Sequence, residues 1–382
     1  MRVPSFVSRS VSRAAVLVVL AAPAMRAQGA LSVQGFGYPG GQLSTRSLAT
    51  GGALADFDPQ SPVNPASIGS GARALVYVQY DPEFRTSTAG GATSKSTVAR
   101  FPMFGISTRA GAATFALSFS SYLDRTWSNS YADTINISGT RVPSLVGAAS
   151  SGGITDVRGA VAYAIGDRFV VGLGVHVFPG RNNTSIAREF PDSASFGGFN
   201  QSGEITYGGT ALSLGVVGTP IEHINIAASA RFGGALDVRQ GDSTVLGSAR
   251  IPGRYGITVG YDGIAGSTFS FRYNTEKFSA LKGLGTPGLP IHDATEMAFG
   301  AEVSGPKMNN SELAIRAGVR QRDLPFSVST ATVKELMYTG GLGIPVAGGK
   351  GMLDLGLARA NRTVIGGTEQ GWIVSVGLSI RP

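Results

Sequence analysis

The side chains best able to do chemistry in this sequence are arginines. Arg158, Arg231, Arg254, Arg272, Arg316 and Arg320 each sit among apolar residues that recur at every second position. A guanidinium offers a planar fork of donors that grips a carboxylate through two parallel hydrogen bonds, so any of the six could bind an anionic ligand group. Glu296, Glu302 and Asp354 fall on the same alternating face and could neutralise them, in which case the arginines only fill an interior. Hydrolytic or metal chemistry has less to work with. The three histidines, His176, His223 and His292, are far apart and lack metal-ligand spacing. There is no Gly-x-Ser-x-Gly elbow, and no nucleophile with a positioned base is legible. No enzyme activity, metal or cofactor is therefore expected.

The elements carrying these residues read as strands. Phe115, Leu117 and Phe119 alternate with small or hydroxyl residues. Phe169, Val171, Leu173, Val175 and Val177 do the same, as do Tyr255, Ile257, Val259 and Tyr261, and the series Trp372 to Ile380. One large apolar face and one small or polar face describe half-buried strands. The segments run longer than the five or six residues usual in soluble sheets and suit a tilted crossing of a bilayer. Short turns, such as 165–168, alternate with long connections, such as 124–152 and 179–203, which is the asymmetry of outer-membrane barrels. The count is about fourteen strands between 72 and 382, all antiparallel, with both ends of the wall on the periplasmic side. Such a sheet must close, because lipid satisfies no backbone N–H or C=O. Tyr80, Tyr122, Trp127, Phe178, Tyr255 and Trp372 lie near strand ends, where interfacial aromatic girdles belong.

The rest of the chain divides simply. Arg2, Arg9 and Arg13 followed by the apolar run Ala14 to Ala22 and small residues read as a secretory leader over 1–27. Beyond it no apolar run is long enough for a membrane helix. The formal charge of +8 includes four arginines in or near that leader, and the other basic residues are scattered singly, so a nucleic-acid partner is not expected. With no Cys, an exported chain must hold itself together by backbone bonding and packing. Residues 28–71 are rich in Gly, Pro, Ser and Asn without period: a tail, or a plug inside the barrel. Pro102 interrupts an otherwise regular strand and predicts a bulge or kink in a wall that has no free edge.

Within 28–71, Gly51-Gly52-Ala53-Leu54-Ala55-Asp56 precedes Asn64-Pro65-Ala66. This order resembles the N-terminal signature of the FadL-like long-chain fatty-acid transporter superfamily. Ile315-Arg316-Ala317-Gly318, Leu324-Pro325-Phe326 and Gly341-Leu342-Gly343-Ile344-Pro345 resemble that family's closing hairpins. Ser67 and Ile68 depart from the signature, and the chain ends on Arg381-Pro382 where such barrels commonly place an aromatic. The resemblance implies an all-β, fourteen-stranded transmembrane barrel whose segment 28–71 folds inward as a luminal hatch carrying Gly51, Gly52, Asn64, Pro65 and Ala66. It further implies a bacterial outer-membrane channel for hydrophobic or amphipathic small molecules such as long-chain fatty acids. A lateral gap, for which Pro102 and Gly105 are the candidates, would release cargo towards outer-membrane lipid. An alternative from the same superfamily is a PorV-type docking scaffold, with a secreted-protein partner held by the long external loops.

Overall fold

The computed structural model describes residues 31–381 except 90–91, 192–195, 241–243, 285–289, 309–310 and 328–329. The expected leader, 1–27, lies outside the described residues. A two-residue strand, β1 (Tyr38–Pro39), and a short helix, α1 (Thr45–Ala49), precede the wall. The wall then runs β2 (Ala74–Ala89), β3 (Ala92–Ala110), β4 (Ala113–Asp124), β5 (Trp127–Ile137), β6 (Thr140–Ile165), β7 (Phe169–Val177), β8 (Gly180–Glu189) and β9 (Phe199–Ile221). It continues through β10 (Ile224–Gln240), β11 (Thr244–Arg250), β12 (Arg254–Tyr261), β13 (Ser267–Glu276) and β14 (Ala294–Met308). The last four strands are β15 (Ser311–Leu324), β16 (Val333–Val346), β17 (Gly351–Val364) and β18 (Gly367–Ile380). Every pairing is antiparallel to its neighbour, and β18 pairs with β2 from Gly367↔Ala89 to Ile380↔Val76, which closes the sheet. Three staves of the barrel are interrupted: β4 and β5 share one, β7 and β8 a second, β11 and β12 a third. The closed wall thus has fourteen staves.

The apolar face of each strand is the outer one. Phe115, Leu117, Phe119, Phe169, Leu173, Val175, Tyr255, Ile257, Val259, Trp372 and Val374 are all exposed, while the residues alternating with them on the inner face are buried or half-buried. That is the inverse of a soluble sandwich and the arrangement a lipid surround requires. Among the described residues no helix is long and apolar enough to cross a membrane.

Two expectations need correction. Residues 124–152 and 179–203 are mostly strand, forming the hairpins β5–β6 and β8–β9 that extend the wall beyond the apolar band. There both faces meet polar surroundings, so sequences such as Ser128-Asn129-Ser130 carry no hydrophobic contrast for a period of two to reveal. Tyr122 and Phe178 are not girdle residues: they are 3% and 0% exposed and point inward. Each lies at a break in a stave, where the alternation resets its phase. Tyr80, Tyr255 and Trp372 do face outward.

Candidate functional site

The lumen is occupied by the N-terminal segment. Residues 31–71 bond to inward-facing groups from almost every part of the wall, and glycines make the fit. A Cβ added to Gly300 or Gly318 would overlap the backbone of Thr50, and one added to Gly51, itself at φ +68°, would lie 2.9 Å from the Val319 carbonyl oxygen. Gly172 and Gly215 likewise leave room for Asn64, Pro65 and Ala66. Gly52 also has positive φ, +91°. Only a residue without Cβ tolerates both that backbone conformation and that proximity. Asn64 caps the short helical turn Pro65–Ser70 by accepting from the Ala66 N–H at 2.9 Å, and its amide donates to the Val216 carbonyl at 3.2 Å.

Asp56 and Gln42 are the principal polar anchors. Asp56 accepts from Ser229 Oγ at 2.8 Å, Thr258 Oγ1 at 2.9 Å and Arg272 Nε at 2.7 Å. Burial pushes its carboxyl up, but Arg272 and the two hydroxyls outweigh burial and hold it below the ordinary carboxylate range. Gln42 donates to Ser120 Oγ and Asp156 Oδ2 at 2.8 and 2.7 Å, and accepts from Arg254 Nη1 at 3.0 Å.

The six arginines read from the sequence all point inward and are buried. Arg272 bridges Asp56 and Glu296, at 2.7 and 2.5 Å. Arg316 bridges Glu302 and Asp354, at 2.6 and 2.5 Å. Arg320 lies 3.6 Å from both Glu296 and Glu335. Arg231 pairs with Glu276, and Arg254 donates to Gln42 and to the Val63 carbonyl. These five are therefore engaged by luminal acids or by the N-terminal segment. Arg158 is different: like Arg320 it has no hydrogen-bond acceptor at Nε and Nη1, but no carboxylate lies within ion-pair distance of it among the described residues.

A second network, not foreseen from the sequence, surrounds Tyr38. Its hydroxyl donates to Glu335 Oε2 at 2.9 Å, and the guanidinium carbons of Arg322, Arg362, Arg100 and Arg85 stand 4.7, 4.8, 5.6 and 5.9 Å from its ring centroid. Glu335 also binds Arg322 Nε at 2.5 Å and Arg362 Nε at 2.7 Å, and Glu83 binds Arg85, Arg100 and Arg362. Histidine gave no sequence signal either, yet the structure joins Ser213, His176 and Asp156, with contacts of 2.8 Å on each side of the imidazole. The residues come from β9, β7 and β6 and meet only through cross-strand register. Ser213 is 2% exposed and lies between continuous ladders on both sides, so this chain of bonds acts as a strut within the wall.

The wall is broken beside Pro102. The register of β2 against β3 passes from Gln79↔Met103 to Asp81↔Arg100, an extra residue on β3 at Phe101-Pro102. The β3–β4 ladder runs from Ala110↔Ala113 to Met103↔Ser120 and stops. Proline lacks the N–H a ladder needs, which accounts for the site of the bulge. Beyond it β4 turns its vacated edge to β1, pairing Asp124 with Tyr38 and Leu123 with Pro39. Gly105 lies inside the intact ladder opposite Ser118, away from the break. On the lumen side a cavity of about 40 Å³ is lined by Tyr38, Leu43, Leu48, Met103 and Ile373. On the outer side a groove of about 650 Å³ is lined by Ala99, Phe101, Phe119, Leu123, Ile154 and Val157. The two have Arg100, Ser121 and Asp124 in common, and an Arg100–Asp124 ion pair spans the break.

The closed fourteen-stave wall is similar to solved structures. A FadL homologue of Pseudomonas aeruginosa superposes with a TM-score of 0.59 at 12% identity, covering 90% of this chain and 99% of that one. The chain has the FadL-type fold. The toluene transporter TodX of Pseudomonas putida matches this FadL-type barrel with a TM-score of 0.59 at 14% identity, covering 90% of this chain and 99% of that one. The CymD monoaromatic hydrocarbon channel matches with a TM-score of 0.56 at 11% identity, covering 89% and 97%. No protein-family model matches the chain, and no curated protein does. Solved structures that share this fold include ones described as a toluene transporter and a monoaromatic hydrocarbon channel.

Proposed function

We propose that this barrel takes up hydrophobic small molecules, long-chain fatty acids among them, with residues 31–71 as a hatch and the break above Pro102 as a lateral exit. The observation that carries the reading is the pair of spaces meeting at Arg100, Ser121 and Asp124. Small-molecule pockets run to roughly 300–1,000 Å³. The inner cavity falls far below that range and the outer groove within it, so the arrangement is that of a closed gate opening on lipid. Relatives of fold described as toluene and monoaromatic hydrocarbon channels support a hydrophobic cargo.

Ala99 offers a clean test, because it is exposed on β3 and lines the outer groove without touching the luminal network. Ala99→Trp places an indole in the groove, and an obstruction that adds about 1.4 kcal/mol to the barrier for passage makes uptake of labelled oleate or toluene by cells fall about tenfold. The barrel itself should fold as before. Uptake at the wild-type rate through a folded Ala99→Trp barrel would rule out the lateral route.

A further inference from the structure

Cross-strand register gathers a belt of charge in the wall. Ser118 stands beside Arg158, Arg158 beside His176, Ser213 beside Arg231, Arg231 beside Arg254, and Arg254 beside Glu276. Three of these groups have buried atoms without a hydrogen-bond partner, Arg231 at Nε and, on facing positions, Arg158 at Nε and Nη1 and Ser118 at Oγ. Asp156, the nearest carboxylate along β6, is already taken by His176 and by Gln42. Counted with His176 neutral, three guanidiniums in the belt (Arg158, Arg231, Arg254) face two carboxylates (Asp156, Glu276), an excess of one positive charge. The adjoining chain Arg272, Asp56, Glu296 and Arg320 has two guanidiniums and two carboxylates, with Glu335 a further 3.6 Å from Arg320. An unpaired buried charge is costly, whereas charge-assisted bonds to an anion satisfy both the donors and the excess. A water molecule would satisfy the donors and leave the charge.

We infer that Arg158 and Ser118 hold a small monoanion, of halide or formate size, between β4, β6 and β7. Its neighbours set the size. Asp156, Ala160, His176 and Ser213 are each at most 8% exposed, so no acyl chain reaches the position. Gly174 packs closely here, since a Cβ there would overlap Ser213 Oγ and stand 3.5 Å from Arg158 Cδ, which leaves room for nothing larger than a small ion. The anion would thus cement the wall under the N-terminal segment, whatever the cargo of the barrel is.

The test is made on the full barrel in detergent, with sodium gluconate exchanged for sodium chloride at constant ionic strength. Chloride should raise the melting midpoint of the wild type by about 2–4 °C, as a bound ligand does. The rise should shrink in Ser118→Ala and vanish in Arg158→Gln. Crystals grown in sodium bromide should show an anomalous peak within hydrogen-bond reach of Arg158 and Ser118. A midpoint indifferent to chloride, a rise that survives in Arg158→Gln, or a bromide map with no peak there would overturn the inference. If Arg158→Gln does not fold, Ser118→Ala and the bromide map decide the question. None of these readings depends on uptake, so failure here leaves the transport reading standing, and the reverse.

Discussion

Glutamine at position 335 should destabilise the barrel by about 3–5 kcal/mol, the usual consequence of removing one partner from a buried ionic network. Glu335 is 1% exposed and serves three groups at once, the Tyr38 hydroxyl, Arg322 and Arg362, with Arg320 at 3.6 Å. Glu335→Gln keeps the volume and one acceptor oxygen but removes the charge that lets these guanidiniums share one pocket. Arg362 retains Glu83 and Glu369, whereas Arg322 is left with the Pro39 carbonyl. Urea unfolding in lipid or detergent, followed by tryptophan fluorescence, measures the loss. The control is Glu312→Gln on a half-exposed acid 3.9 Å from Lys307, where a change within about 0.5 kcal/mol is expected. Equal midpoints for the two variants would mean that the Tyr38 network contributes nothing to stability.

The second large effect is expected at Asp56, and its readout is the N-terminal segment instead of the whole barrel. Asp56→Ala strips Ser229, Thr258 and Arg272 of a shared acceptor, leaving Arg272 with Glu296 alone. A loss of about 3 kcal/mol at one anchor is enough to shift the segment's local equilibrium by over a hundredfold. Limited proteolysis should then cut within residues 31–71 while the wall stays intact, and single-channel conductance should rise. The wild type should show the same loosening on acidification. Because the Asp56 carboxyl is held below its ordinary value, its contribution is complete above the usual carboxylate pKa of about 4 and is lost as pH falls through the lower folded value. A segment equally protected in Asp56→Ala would show that the glycine grooves alone hold it.

The sequence made part of this arrangement legible and hid the rest for physical reasons. Alternation in Phe169 to Val177 and Trp372 to Ile380 revealed the strands, because lipid on one side enforces hydrophobic contrast. The same alternation placed all six arginines inward. It said nothing of their partners, since Asp56 meets Arg272 from a segment with no period of its own, and Tyr38 meets Glu335 across nearly the whole chain. Polar hairpins such as Trp127–Ile137 escaped because neither of their faces needs to be apolar. The high glycine content was visible, but its use was not. Gly172, Gly215, Gly300 and Gly318 matter for the backbone that approaches them, and that contact is tertiary. The Ser213–His176–Asp156 chain was hidden for the same reason, its members being joined by register and not by sequence spacing. Pro102 could be read directly, because a missing N–H is a property of the residue itself.

Closure of the wall by β18 against β2 has a consequence for how the molecule is made. Ile380 pairs with Val76, so the joint unites opposite ends of the wall's sequence and none of its ladder can form until the last strand is in place. Contacts so distant along the chain form slowly, and until they do the sheet carries two raw edges able to recruit strands from other molecules. Thr45 bonds to Tyr77 on β2 and to Ser375 on β18, so this part of the N-terminal segment settles only when both edges have met. The stretch around Thr45 is therefore completed only at ring closure, and the interval before closure is when the chain is most exposed to aggregation.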